Sequence, residues 1–125
     1  FLTGETTVGN VLRALHRMGP RVVALTRDKD GAVISMDGQV AVAEGIDMEA
    51  VDPTGAGDTL AAALCVGLQE GMPLMQLAAF CNSAGTLVVT RRGAIGLALP
   101  TREQVEALAA SEACRVTCLP LDSMP

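Results

Sequence analysis

The residues best suited to chemistry stand together in Val51-Asp52-Pro53-Thr54-Gly55-Ala56-Gly57-Asp58-Thr59. Gly55 and Gly57 allow positive φ and let the backbone come close to a ligand. Where such a turn opens a helix, unpaired N–H groups point outward and the positive end of the helix dipole reinforces them, which makes an anion site. The segment is not a P-loop, because G-x-x-x-x-G-K-[ST] is absent and no Lys follows the glycines. Asp58 carries two readings. A carboxylate at a helix start serves as a cap. Beside an anion hole it also accepts the proton of a hydroxyl that attacks a phosphoryl group, while the N–H groups hold the developing charge. Spacing alone leaves both open, and the cap is the simpler.

The surrounding pattern supplies elements to hold this loop. Val8, Val11, Leu12, Leu15 and Met18 recur at helical spacing over residues 6–18, closed by Gly19-Pro20. The run 21–26 (RVVALT) suits a buried strand, residues 27–31 a polar turn, and residues 32–36 a second strand. Asp37-Gly38 signals a hairpin that returns antiparallel over 39–43. A short strand near 49–51 leads into the glycine loop. Helices follow over 58–70, closed by Gly71, over 74–89 after Pro73, and over 102–110 behind a Thr101/Gln104 capping box. Residues 111–125 show no period and are left unassigned. No repeat or linker interrupts the chain, and strands mixed with packed helices make an α/β arrangement.

Composition excludes several classes. The chain has 125 residues, a net charge of −5 and nine scattered Lys and Arg, which offers no basic patch for nucleic acid or anionic membrane. Phe1 and Phe80 are its only aromatic residues, too few for a base-stacking platform. No apolar run reaches the roughly 18 to 20 residues of a membrane span, and no secretory signal opens the chain. Phe1-Leu2-Thr3-Gly4 reads as the interior of a longer sequence. Cys65 and Cys81 lie in apolar helical patterns, and Cys114-x3-Cys118 lacks the second ligand pair of a zinc site, so reduced thiols and a cytoplasmic protein are expected. His16, the only histidine, is read as part of a solvated helix face, and Met72 and Met75 as core filler. Arg91 and Arg92 suit either a phosphate or the carboxyl end of a helix.

The string DPTGAGDT resembles the D-[TP]-T-G-A-G-D signature of the ribokinase-like, or PfkB, family of carbohydrate kinases. Upstream, VVALTRDKDGAVI is similar to that family's strand–TLG–x–x–G–strand segment. Downstream, AAFCNSAGTLVVTRRGAIGLALPTREQVEAL is similar to its closing helix, R-x-G-A turn and last helix. The resemblance runs from Leu2 to Ala110. It implies the carboxyl-terminal portion of a three-layer α/β/α sandwich, with nucleotide-binding and catalytic residues in 1–110 and a tail over 111–125.

The same resemblance implies transfer of the γ-phosphoryl group of ATP, with Mg²⁺, to a hydroxyl of a sugar or sugar derivative. Asp58 would be the catalytic base, and Gly55, Ala56 and Gly57 the anion hole. Thr26, Arg27, Asp28 and Gly31 would line the nucleotide site, with Asn82 near the adenine. Asp52 and Thr54, with backbone carbonyls near Val88, Arg91 and Gly93, match positions that hold a monovalent cation such as K⁺ in some relatives. Two departures stand out. Thr26-Arg27-Asp28 replaces Thr-Leu-Gly, which puts a carboxylate near the phosphates, and Ile95-Gly96-Leu97 replaces a small polar residue beside the cation site. The family's amino-terminal half, with its sugar-binding residues, its Asn-x-x-Glu motif and the β-sheet lid through which relatives dimerise, is not in this sequence. A nucleoside or vitamin-precursor kinase, and a non-catalytic nucleotide-binding remnant, are the competing expectations. A homodimer is compatible with the resemblance.

Overall fold

The computed structural model describes residues 7–27, 30–48, 56–90 and 100–125. Helix α1 (Val8–Arg17) starts where the Thr7 hydroxyl accepts a hydrogen bond from the Asn10 N–H at 3.2 Å. Strands β1 (Val22–Thr26), β2 (Gly31–Met36) and β3 (Gln39–Glu44) follow, then helices α2 (Ala56–Gln69), α3 (Leu74–Val89) and α4 (Arg102–Ala109). A fourth strand, β4 (Val116–Pro120), and a single 3₁₀ turn (Leu121–Ser123) occupy the tail that the sequence left unassigned. The expected strand near 49–51 lies outside the described residues.

The sheet runs β1-β2-β3-β4 with every described pair antiparallel. Asp37 (φ 52°) and Gly38 (φ 78°) both take the left-handed conformation, the two-residue turn whose twist matches a hairpin. Alternation then sorts the strands. Leu12 of α1 shares a core with Val23, Val33 and Val40 on one face. Ala32, Ile34, Ala41 and Ala43 meet Leu60, Ala63, Leu77, Ala78 and Cys81 of α2 and α3 on the other. The result is the α/β/α layering the sequence implied.

Local signals hold where side chains complete them. Thr101 and Gln104 form the full capping box, with bonds of 3.2 Å to the Gln104 N–H and 2.9 Å from the Thr101 N–H. After α2, Gly71 (φ 72°) and the Met72 N–H bond to Gly67 O (3.0 Å) close the carbonyl end in a Schellman arrangement. Gly67 also admits Leu77, whose Cδ1 occupies the space a side chain there would fill, so α2 and α3 pack closely.

Two expectations are corrected. His16 is not on a free solvated face: Nε2 pairs with buried Ser35 Oγ at 2.8 Å and Nδ1 with Pro20 O at 3.0 Å, pinning α1 to the sheet. Met72 is core, but Met75 stands 49% exposed.

The tail packs against α1. The Arg13 guanidinium donates from Nη1 to Leu121 O and Met124 O, both at 3.0 Å, and from Nη2 to Asn10 Oδ1 at 2.7 Å. The Gly9 N–H donates to Pro125 O at 2.7 Å.

Candidate functional site

Ala56, Gly57 and Asp58 form the first turn of α2, which places the Asp58 carboxylate among the free N–H groups of a helix start. Asp58 is exposed and makes no hydrogen bond or ion pair with any described residue. It is among the residues that line a cavity of about 420 Å³ between α2, α3 and α4. Thr59, Ala62 and Val66 line one wall, Phe80 and Ala84 the floor, and Pro100, Arg102 and Val105 the other wall. The remaining loop positions, Asp52, Thr54 and Gly55, lie outside the described residues, as do Asp28, Arg91 and Gly93.

The second group of expected contacts sits at the far end of β1. Thr26 and Arg27 are exposed there, and the Arg27 N–H donates to Gly31 O at 2.8 Å while the Asp30 N–H donates to Arg27 O at 2.8 Å. These bonds hold Arg27, Asp30 and Gly31 together where β1 gives way to β2. Gly31 has φ 104°, and a Cβ on it would press on Ala43 O and lie 2.8 Å from Glu44 C and Gly45 N. Only glycine fits there.

Asn82 is buried in the middle of α3, and its Nδ2 donates to Glu44 O at 2.9 Å. The amide therefore ties α3 to the carboxyl end of β3. Val88 is fully buried near the end of the same helix. Among the described residues, no group of three or more His, Cys, Asp and Glu side chains could hold a metal ion.

Sequence reasoning missed Arg102. Its guanidinium bonds both carboxylate oxygens of Glu70 (2.5 and 2.6 Å) and Glu106 Oε1 (2.8 Å), and lies 5.7 Å from the Phe80 ring centroid. The Arg102 hydrogen bond lowers the Glu70 carboxyl from its ordinary value, with desolvation opposing it and the Arg102 charge adding to it. Position 102 carried only a helix-start signal, and the Glu70 partner is 32 residues away in sequence. Burial, with a smaller contribution from Cys65, pushes the Cys81 thiol up to about 12, which makes it a neutral packing group.

The family model described as pfkB family carbohydrate kinase matches residues 1–102. A ribokinase of Bacillus subtilis is 38% identical over 108 residues, which cover 86% of this chain and 35% of that protein. A nucleoside kinase of Methanothermobacter thermautotrophicus is 34% identical over 82 residues, covering 66% of this chain and 26% of the relative. The solved structure of Arabidopsis thaliana ribokinase complexed with ribose and ATP superimposes with a TM-score of 0.74 at 29% identity, over 89% of this chain and 38% of that one. The chain thus spans about a third or less of the length of the curated relatives it matches. The match over residues 1–102 and the shared fold lead to one conclusion: the chain belongs to the pfkB family of carbohydrate kinases.

Proposed function

We propose that this chain forms the catalytic and nucleotide-binding part of a kinase that transfers the γ-phosphoryl group of ATP to a hydroxyl of a sugar or sugar derivative. The observation that carries the reading is Asp58, an exposed carboxylate in the first turn of α2 with no described partner, lining the inter-helix cavity. A cap would engage its helix; this carboxylate is free to accept a proton. The acceptor hydroxyl gives its proton to Asp58 as its oxygen attacks the γ-phosphorus in line. The bond from that phosphorus to the β,γ-bridging oxygen breaks, and ADP leaves. Charge on the transferring group is held by the N–H groups of Gly55, Ala56 and Gly57 and by the α2 dipole.

The nucleotide is assigned to the turn between β1 and β2, where Thr26 and Arg27 are exposed at the rim. Mg²⁺ is expected with the ATP phosphates. Bound there, it would offset negative charge on the phosphates. A K⁺ site at Asp52, Thr54, Val88, Arg91 and Gly93 belongs to this proposal as an ordering influence on the anion hole. A nucleoside acceptor is the second reading, favoured by the 34% identity to the nucleoside kinase.

The test is Asp58→Asn. Mg·ATP affinity is followed by titration calorimetry with and without K⁺, and ADP formation is followed with ribose, fructose and a nucleoside as acceptors. Turnover is expected to fall by roughly 10²–10⁴ with ATP affinity retained. Full turnover in the variant removes Asp58 from the base role, and a folded chain that ignores ATP removes the nucleotide-site assignment.

A further inference from the structure

The edge of β3 beside the tail is completed by two different groups. From Gln39 to Ala43 the strand pairs with Val116 to Pro120 of β4. At Glu44 the ladder passes to other partners. The Glu44 N–H donates to Arg115 O at 2.9 Å, and its C=O accepts from Asn82 Nδ2 at 2.9 Å. The last residue of β3 is thus held by the tail at its N–H and by α3 at its carbonyl. The same stretch of backbone, from Ala43 O to Gly45 N, is what a Cβ at Gly31 would strike. Glu44 therefore joins the tail to both Asn82 and Gly31.

The next residue of α3 makes a second, independent link. Ser83 is fully buried, and its hydroxyl donates to Cys114 Sγ at 3.7 Å. The Cys114 thiol in turn faces Ala79 O at 3.9 Å. A buried hydroxyl without a partner is costly, so Ser83 at this position depends on the tail. Among the described residues the buried polar side chains are Ser35, Asn82 and Ser83, and two of the three stand side by side at this junction. The far end of β4 is fixed as well: the Leu121 N–H donates to Gly38 O at 2.8 Å, and Arg13 holds Leu121 O and Met124 O. All of β4 lies beyond residues 1–102, the extent of the family match.

We propose that the tail is a positioning element of the nucleotide site. Arg115 O and the Cys114 thiol fix the place where β3 and α3 meet, and through it Asn82 and Gly31. Nucleotide affinity then depends on β4 staying docked. The inference rests on the nucleotide assignment of the proposed function, because Asn82 and Gly31 bear on ATP only where ATP binds beside them. A tail that merely stabilised the fold would shift the unfolding midpoint and leave the affinity of the folded chain unchanged.

The experiment loosens the junction in the folded chain and then restores it. A Cys65→Ser/Cys118→Ser chain keeps half-buried Cys114 and buried Cys81 as its thiols. Methyl methanethiosulfonate transfers a methylthio group to the Cys114 sulfur as methanesulfinate leaves, and dithiothreitol removes the group again. Peptide mass confirms the site. No added group fits between Sγ and Ser83 Oγ at 3.7 Å, so the contact with α3 opens. Titration calorimetry with Mg·ATP reads the affinity, hydrogen exchange reads the Glu44 amide, and circular dichroism reads the fold. Modification should weaken ATP binding ~5-fold or more and speed exchange at Glu44, and dithiothreitol should reverse both. Adding Cys114→Ser, whose hydroxyl can serve the same two partners, should preserve ATP affinity and abolish the response to the reagent. Unchanged affinity in a modified, folded chain would overturn the proposal while leaving the nucleotide site in place. So would weaker binding with the Glu44 amide unaffected, or a modified chain that unfolds as a whole. A parent chain that ignores ATP would overturn the nucleotide assignment, and this inference with it.

Discussion

Gly31→Ala tests how the turn beside β1 is held. The residue has φ 104°, so an alanine there bears a conformational cost of ~1–2 kcal/mol. Its Cβ would also press on Ala43 O and stand 2.8 Å from Glu44 C and Gly45 N. All three are backbone atoms of or next to β3, which cannot swing aside as a side chain would. Overpacking of this kind costs ~1–3 kcal/mol, and the stiffer unfolded chain offsets ~0.4–1 kcal/mol of the total. A net loss of about 3 kcal/mol is expected, near 10 °C in midpoint for a chain of this size. Gly38→Ala is the matched control. Its φ is 78°, but nothing lies within 4 Å of the added carbon, and about 1 kcal/mol is expected. Thermal and urea unfolding by circular dichroism measure both. Equal losses for the two variants would refute the close-approach argument. Confirmation would bear on function too, because Gly31 is one of the residues assigned to the nucleotide site: activity lost in Gly31→Ala could then come from a displaced β2–β3 pair with no ligand contact at all.

Four further outcomes are expected. Asn82→Ala removes the buried donor to Glu44 O and should cost ~1–3 kcal/mol in urea unfolding with no nucleotide present. In the folded chain, exposed Cys65 and Cys118 should react with iodoacetamide while buried Cys81 reacts only on unfolding, read by peptide mass. The Cys81 thiol is raised from 9.0 to about 12, so its contribution to stability is intact below pH 9 and declines as pH rises toward 12. A Cys81→Ala variant should lose that alkaline slope. Glu70 is depressed by Arg102, so its contribution is present above about pH 4.5 and is lost as pH falls further. The pair is exposed and screened, so Glu70→Gln should flatten the acid limb only slightly.

What was legible in the sequence was what neighbours along the chain decide. The Asp37-Gly38 turn, the Thr101/Gln104 box and the helix stop at Gly71 each act over a few residues and appear where expected. β4 was not legible. It carries only weak alternation, with Val116 and Leu119 half-buried and Thr117 and Cys118 exposed, and it forms because Val40 meets Leu119 across 79 positions of sequence. Long-range pairing also hid the Arg13 bonds to Leu121 and Met124, and the Ser35 partner that ties His16 to the sheet. None of these partners leaves a periodic trace.

The same distinction sorts the candidate site. Gly31 and Asn82 were singled out for a ligand, yet each has structural work that accounts for its residue type: Gly31 admits the β3 backbone, and the Asn82 amide joins α3 to Glu44. Substituting either disturbs the fold first, so neither can identify a ligand through activity alone. Asp58 differs. It is exposed, it packs against nothing that requires a carboxylate, and no described residue accounts for its charge. Its removal should leave stability nearly unchanged, because the helix dipole alone is worth only ~0.3–1 kcal/mol to an exposed carboxylate. An Asp58→Asn chain with wild-type unfolding and lost turnover would locate the chemistry. One that unfolds early would return Asp58 to the cap.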